Sequence, residues 1–237
     1  MTPEQSYAAA LVLHERRVQD GWRPVGRKIG FTNRGIWARY GVYEPIWGTV
    51  YDRTLIRASD GLACVSLQGL AAPRIEPEIC FGLRAAPRSS RPEDLLAAIG
   101  WMAHSIEIVQ CDQPGWKTSL PHSIGANGLH GRLILGPPLQ ITELPDLASK
   151  LATFELVLMK DGKTVDRGNG EIVLGSPLAA LGYLVDLLSK QAKAPRLAGG
   201  EIVSTGTITD AHPVAPGESW STELHGLPLQ GLAVRFS

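Results

Sequence analysis

Apolar and polar positions divide the chain into three helical stretches and a larger number of short strand-like runs. Between 177 and 191, Leu178, Leu181, Leu184, Val185 and Leu188 share one helical face, and Ser176-Pro177 opens that helix. Residues 2–20 predict another helix. Thr2 serves as its N-cap, Pro3 sits where proline is tolerated, Gln5 closes a capping box and Gly21 stops it. A third helix is predicted from 90 to about 102, with Pro92, Glu93 and Asp94 in its first turn. Residues 104–110 (HSIEIVQ) alternate as a strand does, and 62–84 hold Val, Leu and Ile runs between Gly and Pro breaks. Segments 154–160 and 163–167 flank Asp161-Gly162, a two-residue hairpin signal. Further strands are predicted near 133–135, 201–208, 219–224 and 230–236. Residues 22–60 read as loops with short strands, and 111–131 as a loop.

Strands outnumber helices and do not alternate with them, which predicts an α+β class with a β-rich core rather than a doubly wound parallel sheet. The pattern shows no repeat and no linker, so residues 1–237 are read as a single catalytic domain with 1–60 as a helix-plus-loop N-terminal portion. A chain of this length buries roughly 70–75% of its unfolded surface in one core. Charge narrows the partners: Lys+Arg and Asp+Glu each number 23, so neither nucleic acid nor a membrane surface has a basic patch to expect. No uncharged run reaches the roughly 18 residues of a membrane span, and the N-terminus lacks a basic segment followed by an apolar one. Cys64, Cys80 and Cys111 are odd in number and have no C-x-x-C spacing, which predicts free, buried thiols and a cytoplasmic location.

The densest chemistry lies at 74–81 (RIEPEICF). Residues two apart on a strand share a face, so Glu76 and Glu78 project together among Ile75, Ile79 and Phe81. Two like charges side by side in a half-buried strand are costly unless a cation lies between them. Pro77 cannot donate to a ladder, which predicts an edge or a bulge there. Glu107 is a second acid among apolar neighbours. If its strand lies beside the first, three carboxylates converge into a hard-cation site suited to Mg²⁺ or Mn²⁺. On spacing alone, the same Glu-x-Glu also describes a solvated outer face. The six histidines have no zinc-ligand spacing.

Taken in order, 26–32 (GRKIGFT), 74–81, 106–109 (IEIV), Trp116-Lys117, 173–178 (VLGSPL) and 199–207 (GGEIVSTGT) resemble the 2-oxopent-4-enoate hydratase and 4-oxalocrotonate decarboxylase family of the fumarylacetoacetate hydrolase superfamily. The resemblance covers most of the chain and implies a rolled mixed β-sheet with outer helices. It also implies a divalent metal on Glu76, Glu78 and Glu107, with Lys28 as the active-site lysine. The substrate it implies is a small 2-oxo acid, or its 2-hydroxydienoate tautomer, chelating that metal. Asn127, kept in the loop at 121–131, is expected on the substrate side with Trp47, Lys117 and Thr205. Lys117 is assigned to a distal carboxylate and Trp47 to an apolar wall. The resemblance further implies a homo-oligomer, with a complex with a related enzyme as a further partner.

The chain departs from the pattern where protons are handled. The family's Asp after the Pro of 43–48 is Ile46 here, and two acids of the 121–131 loop are His122 and Ala126. His122 is therefore the candidate general base, with His130 and Glu44 as alternatives. The first reading is hydration of a 2-hydroxydienoate from aromatic catabolism. The second is decarboxylation of a 2-oxo-enedioate, which loss of the Asp weakens less. Hydrolysis of an acylpyruvate, with His14-Glu15 or His122 activating water, comes third. A non-catalytic partner of a related enzyme comes last, because such a chain need not keep all three glutamates.

Overall fold

Thr2 caps the first helix as the pattern predicts: its side chain accepts from Gln5 N at 3.3 Å while Gln5 Oε1 accepts from Thr2 N at 2.9 Å. The structure, a computed structural model, describes the backbone of residues 1–237 and the side chains of all except 39, 40 and 143. Its first half runs α1 (Pro3–Gln19), β1 (Pro24–Gly30), α2 (Trp37–Tyr40), β2 (Ile46–Tyr51), β3 (Leu55–Arg57), β4 (Leu62–Val65), β5 (Arg74–Leu83), α3 (Pro92–Ala98) and β6 (Ile99–Val109). The second half continues with α4 (Leu120–Gly125), β7 (His130–Leu135), β8 (Leu139–Gln140), α5 (Leu147–Thr153), β9 (Glu155–Lys160), β10 (Lys163–Asn169) and α6 (Pro177–Lys190). It ends with β11 (Ile202–Ser204), β12 (His212–Pro213), β13 (Ser219–His225) and β14 (Ala233–Phe236).

A nine-stranded mixed sheet has the order β2-β1-β11-β5-β6-β7-β3, with β12 and β8 attached to β5 and β6. A five-stranded sheet, β10-β9-β13-β14-β4, packs against it. The central pair is β5 and β6, antiparallel with Ile75 opposite Ile108, Ile79 opposite His104 and Phe81 opposite Met102. One face of this pair is apolar: Ile75, Ile79, Phe81, Ile106 and Ile108 are fully buried, in one cluster with Leu156 and Leu158 of β9, Phe236 of β14 and Leu181 and Leu184 of α6. The opposite face carries Glu76, Glu78 and Glu107. Their register partners and chain alternation leave them no other side to occupy.

The predicted hairpin is present, with Asp161 (φ 48°) and Gly162 (φ 76°) both left-handed between β9 and β10. Ser176 caps α6 by accepting from Ala179 N at 3.0 Å. Residues Gly170–Lys190 are long and apolar enough to cross a membrane by length and composition, but half of that stretch is buried in this fold.

Several expectations need correction. The helix predicted to about 102 ends at Ala98, because the apolar run from Ile99 is needed to pair with the whole length of β5. The short strands expected within 22–60 are β1, β2 and β3, and they belong to the main sheet, so residues 1–60 are not a separate helix-plus-loop portion. The 111–131 loop contains α4, capped by Ser119 accepting from His122 N. Pro77 lies in a central strand, not at an edge. Its ring faces the gap between β11 and β12, where Ile208 N donates to the Pro77 carbonyl at 2.9 Å and no ladder N–H is required. Of the cysteines, Cys80 and Cys111 are buried while Cys64 is exposed.

Candidate active site

Register assembles the site. Glu76 stands directly opposite Glu107, and Glu78 opposite Ser105, so all four side chains share one face. Ser204 of β11 pairs with Cys80 of β5, and Lys28 of β1 pairs with Ser204, so both join that face from the next two strands. One carboxylate oxygen from each of Glu76, Glu78 and Glu107 lies within 4.8 Å of the others. Glu78 and Glu107 are fully buried, and Glu76 is half-buried at the pocket wall. The solvated-face alternative for Glu-x-Glu therefore does not apply.

Each acid is held differently. Glu107 Oε2 lies 3.0 Å from Lys28 Nζ, and its Oε1 lies 2.7 Å from His130 Nδ1. A carboxylate can only accept from that ring, so Nδ1 carries the proton, and Nε2 lies 2.8 Å from Thr54 Oγ1. Burial acts to raise the Glu107 carboxyl, but Lys28 and His130 outweigh it and hold the group below its ordinary value. Glu78 Oε2 accepts from Ser204 Oγ at 2.5 Å and from Gly206 N at 2.9 Å. Gly206 has φ 100°, and a Cβ there would lie 2.0 Å from Thr32 Oγ1, so glycine lets this backbone donor approach. Glu78 Oε1 is buried with no hydrogen-bond partner among the described residues. Burial, with Glu107's charge behind it, pushes Glu78 well above the carboxylate range. Burial likewise raises Glu76 to about 7, against the opposing pull of Lys28.

Lys28 is buried, and its Nζ also donates to Gly128 O at 3.0 Å. Burial acts to discharge it, but the three glutamates outweigh that and hold the ammonium form above its ordinary range. Gly128 is presented by a left-handed run, with Asn127, Gly128 and Leu129 at φ 58°, 65° and 62°. Asn127 braces this run by accepting from Thr49 N at 2.8 Å and donating to Thr49 O at 2.9 Å. A pocket opens at Glu76, walled by Phe31, Ile36, Ile46, Val109 and Leu129. Its polar lining includes Lys28, Asn33, Arg74, Glu76, Thr118 and Thr207.

The other residues predicted for the site lie elsewhere. Asn127 spends its side-chain amide on Thr49 and does not line the pocket. Trp47 falls on the opposite face of β2 from Ile46 and Gly48. Its ring stacks on Tyr7 at 5.3 Å, and Nε1 donates to Gln191. Thr205 is buried and donates to Ile79 O at 2.8 Å; its neighbours Gly206 and Thr207 reach the pocket instead. Lys117 is exposed, while Trp116 and Thr118 on either side line the wall. His122 is outside the lining, paired with Asp112 at 2.8 Å. It also forms a cluster with Asp112 and Cys111 that no sequence spacing revealed. His14 is bonded to Tyr51 OH, and Glu44 is exposed. Sequence reasoning missed Arg74, Ser204 and the support role of His130. For Arg74 the signal was present, since the alternation that pairs Glu76 with Glu78 also puts Arg74 on their face.

The chain is similar to known proteins over most of its length. The chain is 31% identical over 232 residues to the 2-hydroxyhexa-2,4-dienoate hydratase of Comamonas testosteroni, covering 96% of this chain and 84% of that protein. It is 30% identical over 218 residues to a 4-oxalocrotonate decarboxylase of a Pseudomonas species, covering 92% and 80%. Its fold superimposes on the 4-oxalocrotonate decarboxylase of Pseudomonas putida G7, solved with magnesium and adipate, at a TM-score of 0.90. That match has 29% identity and covers all of this chain and 87% of the other. The fumarylacetoacetate (FAA) hydrolase C-terminal family matches residues 52–233, and the chain belongs to that family.

Proposed function

We propose that this chain is a divalent-metal-dependent lyase acting on a small 2-oxo acid or its 2-hydroxydienoate tautomer, with Glu76, Glu78 and Glu107 as the metal ligands. The observation that carries the reading is the buried, unpartnered Oε1 of Glu78 facing two further carboxylates. Such a donor set of hard oxygens fits Mg²⁺ or Mn²⁺, and without a cation burial and mutual repulsion raise Glu76 and Glu78 despite Lys28. The relatives named as hydratases and decarboxylases, and the one solved with magnesium, support this assignment.

The ion, held by Glu76, Glu78 and Glu107, would supply positive charge that offsets negative charge developing on the substrate. The chain's own residues do the rest. Lys28 Nζ, fixed between Glu107 and Gly128 O, stands at the pocket floor as a charged donor to a bound anion and as a proton source for a dienolate carbon. Ser204 and Gly206 fix one oxygen of Glu78, leaving the other free to ligate. His130 fixes Glu107 from behind. Ile46, Leu129 and Val109 keep water from the carbon chain.

This lining favours decarboxylation over hydration. Among the described residues the pocket's ionisable groups are Lys28, Arg74 and Glu76, and none is a free base placed to aim water at a distal alkene carbon. Decarboxylation needs no such base. With no histidine in the lining, acylpyruvate hydrolysis lacks its water activator as well. The test is to supply a 2-oxo-enedioate with Mg²⁺ and measure CO₂ and the 2-hydroxydienoate absorbance together. Stoichiometric appearance of both is expected. Hydration of supplied 2-hydroxydienoate with no CO₂ from the enedioate would reverse the order of the two reactions. Activity on neither, with or without metal, would refute the lyase reading.

A further inference from the structure

We propose that Cys111, Asp112 and His122 form a second metal site, one for a borderline-soft divalent ion of the zinc class and chemically distinct from the all-oxygen glutamate site. It does not depend on the glutamate reading and stands or falls separately from it.

One ligand atom from each residue, a sulfur, a carboxylate oxygen and an imidazole nitrogen, lies within 4.8 Å of the others. A tetrahedral zinc site with bonds of about 2.0–2.3 Å holds its ligand atoms about 3.3–3.8 Å apart, so shifts of about 1 Å close the set around an ion. The elements explain the convergence. β6 ends at Val109, and beyond it side chains no longer alternate, so the adjacent Cys111 and Asp112 face one point. Cys111 N donates to Ala71 O at 2.9 Å, which anchors this segment. His122 arrives from the other side on α4, where Ser119 Oγ accepts from its backbone N at 3.3 Å. Because the ligands come from two separate elements, no short zinc spacing exists in the sequence.

A second observation points to a ligand. His122 Nε2 is buried and 2.8 Å from Asp112 Oδ1, yet it has no hydrogen-bond partner among the described residues. Asp112 Oδ1 also accepts from Gln113 Nε2 at 3.2 Å. An ion among the three would satisfy the orphaned nitrogen. The sulfur selects which ion: Mg²⁺ and Mn²⁺ take oxygen donors, whereas thiolate, imidazole and carboxylate together suit Zn²⁺. Binding releases the Cys111 thiol proton to solvent, and the thiolate and carboxylate then neutralise the ion's double charge. Asp112 is exposed, so water reaches the fourth position.

The ion closes the segment 113–121 into a loop. That segment carries Trp116 and Thr118 of the pocket wall, so the site clamps the wall without touching substrate.

The experiment titrates Co²⁺, a spectroscopic substitute for Zn²⁺, into the reduced full chain kept saturated with Mg²⁺. The wild type is expected to develop a sulfur-to-cobalt charge-transfer band, complete at one equivalent and removed by one equivalent of Zn²⁺. The glutamate site offers only oxygens and cannot give this band. Cys64→Ser is expected to keep it and Cys111→Ser to lose it. His122→Ala, whose ring is partly exposed and whose loss leaves the core intact, is expected to weaken Co²⁺ binding at least about tenfold. It carries the test alone if Cys111→Ser does not fold. No band in the wild type, a band that survives Cys111→Ser, or unchanged affinity in His122→Ala overturns the proposal and leaves the glutamate site untouched.

Discussion

The two faces of the β5–β6 pair are made by the same two strands and obey opposite rules. One face, with Ile75, Ile79, Phe81, Ile106 and Ile108, is dry, packed against the second sheet and α6, and needs no electrostatic account. The other holds Glu76, Glu78 and Glu107 over a much smaller apolar cluster that includes Cys80, Ala103, Leu133 and Leu135. The apolar face holds the strands at fixed spacing, and the acidic face uses that spacing to keep like charges close. The two buried histidines of this region repeat the contrast. His104, on the apolar face opposite Ile79, donates from Nδ1 to Glu78 O at 2.9 Å and accepts at Nε2 from Thr222 of the second sheet at 2.8 Å. It is a neutral rivet between sheets. His130, on the acidic side, braces a carboxylate.

The comparison breaks first at Phe81. Phe81→Ala is expected to cost about 3–5 kcal/mol of folding stability in urea titrations, with Mg²⁺ affinity of the folded fraction unchanged. A parallel loss of metal affinity would mean that the faces are not separable.

The next largest effect belongs to His104. Burial lowers its pKa to about 4, below the roughly 6.5 of an unfolded histidine. The unfolded chain therefore binds the extra proton between those values. The contribution is full above pH 6.5 and is lost as pH falls toward 4, amounting to about 3 kcal/mol. Unfolding free energies of the wild type should fall more steeply than those of His104→Gln across that window. Parallel slopes would contradict the neutral-rivet assignment.

The smallest effect sharpens the acidic side. His130→Ala is expected to weaken Mg²⁺ binding about 10–100-fold, as loss of a group that orients a metal ligand does. An unchanged affinity would mean that Lys28 alone holds Glu107.

How much of this was legible follows from which rule each residue obeys. The carboxylate trio was readable because strand alternation is a local rule, and Glu107 needed only the guess that its strand lay beside the first. The Thr2–Gln5 capping box, the Asp161-Gly162 hairpin and the apolar face of α6 are also local. Asn127, Thr205 and Trp47 sit in the motif segments, but their side chains turn to backbone or core partners from other parts of the chain: Thr49, Ile79 and Tyr7. Motif membership gave no hint of that direction. His122 lies outside the pocket lining, beside Asp112, because it is carried on a helix, α4, that the sequence did not announce. Arg74 obeys the same local rule, since alternation along β5 puts it on the face of Glu76 and Glu78.

The most direct test of the whole scheme is a crystal soaked with Mn²⁺ and oxalate, read at the manganese absorption edge. One anomalous peak is expected among the carboxylates of Glu76, Glu78 and Glu107, with oxalate completing the coordination beneath Lys28. An empty trio, or a peak only at Cys111, Asp112 and His122, would contradict it.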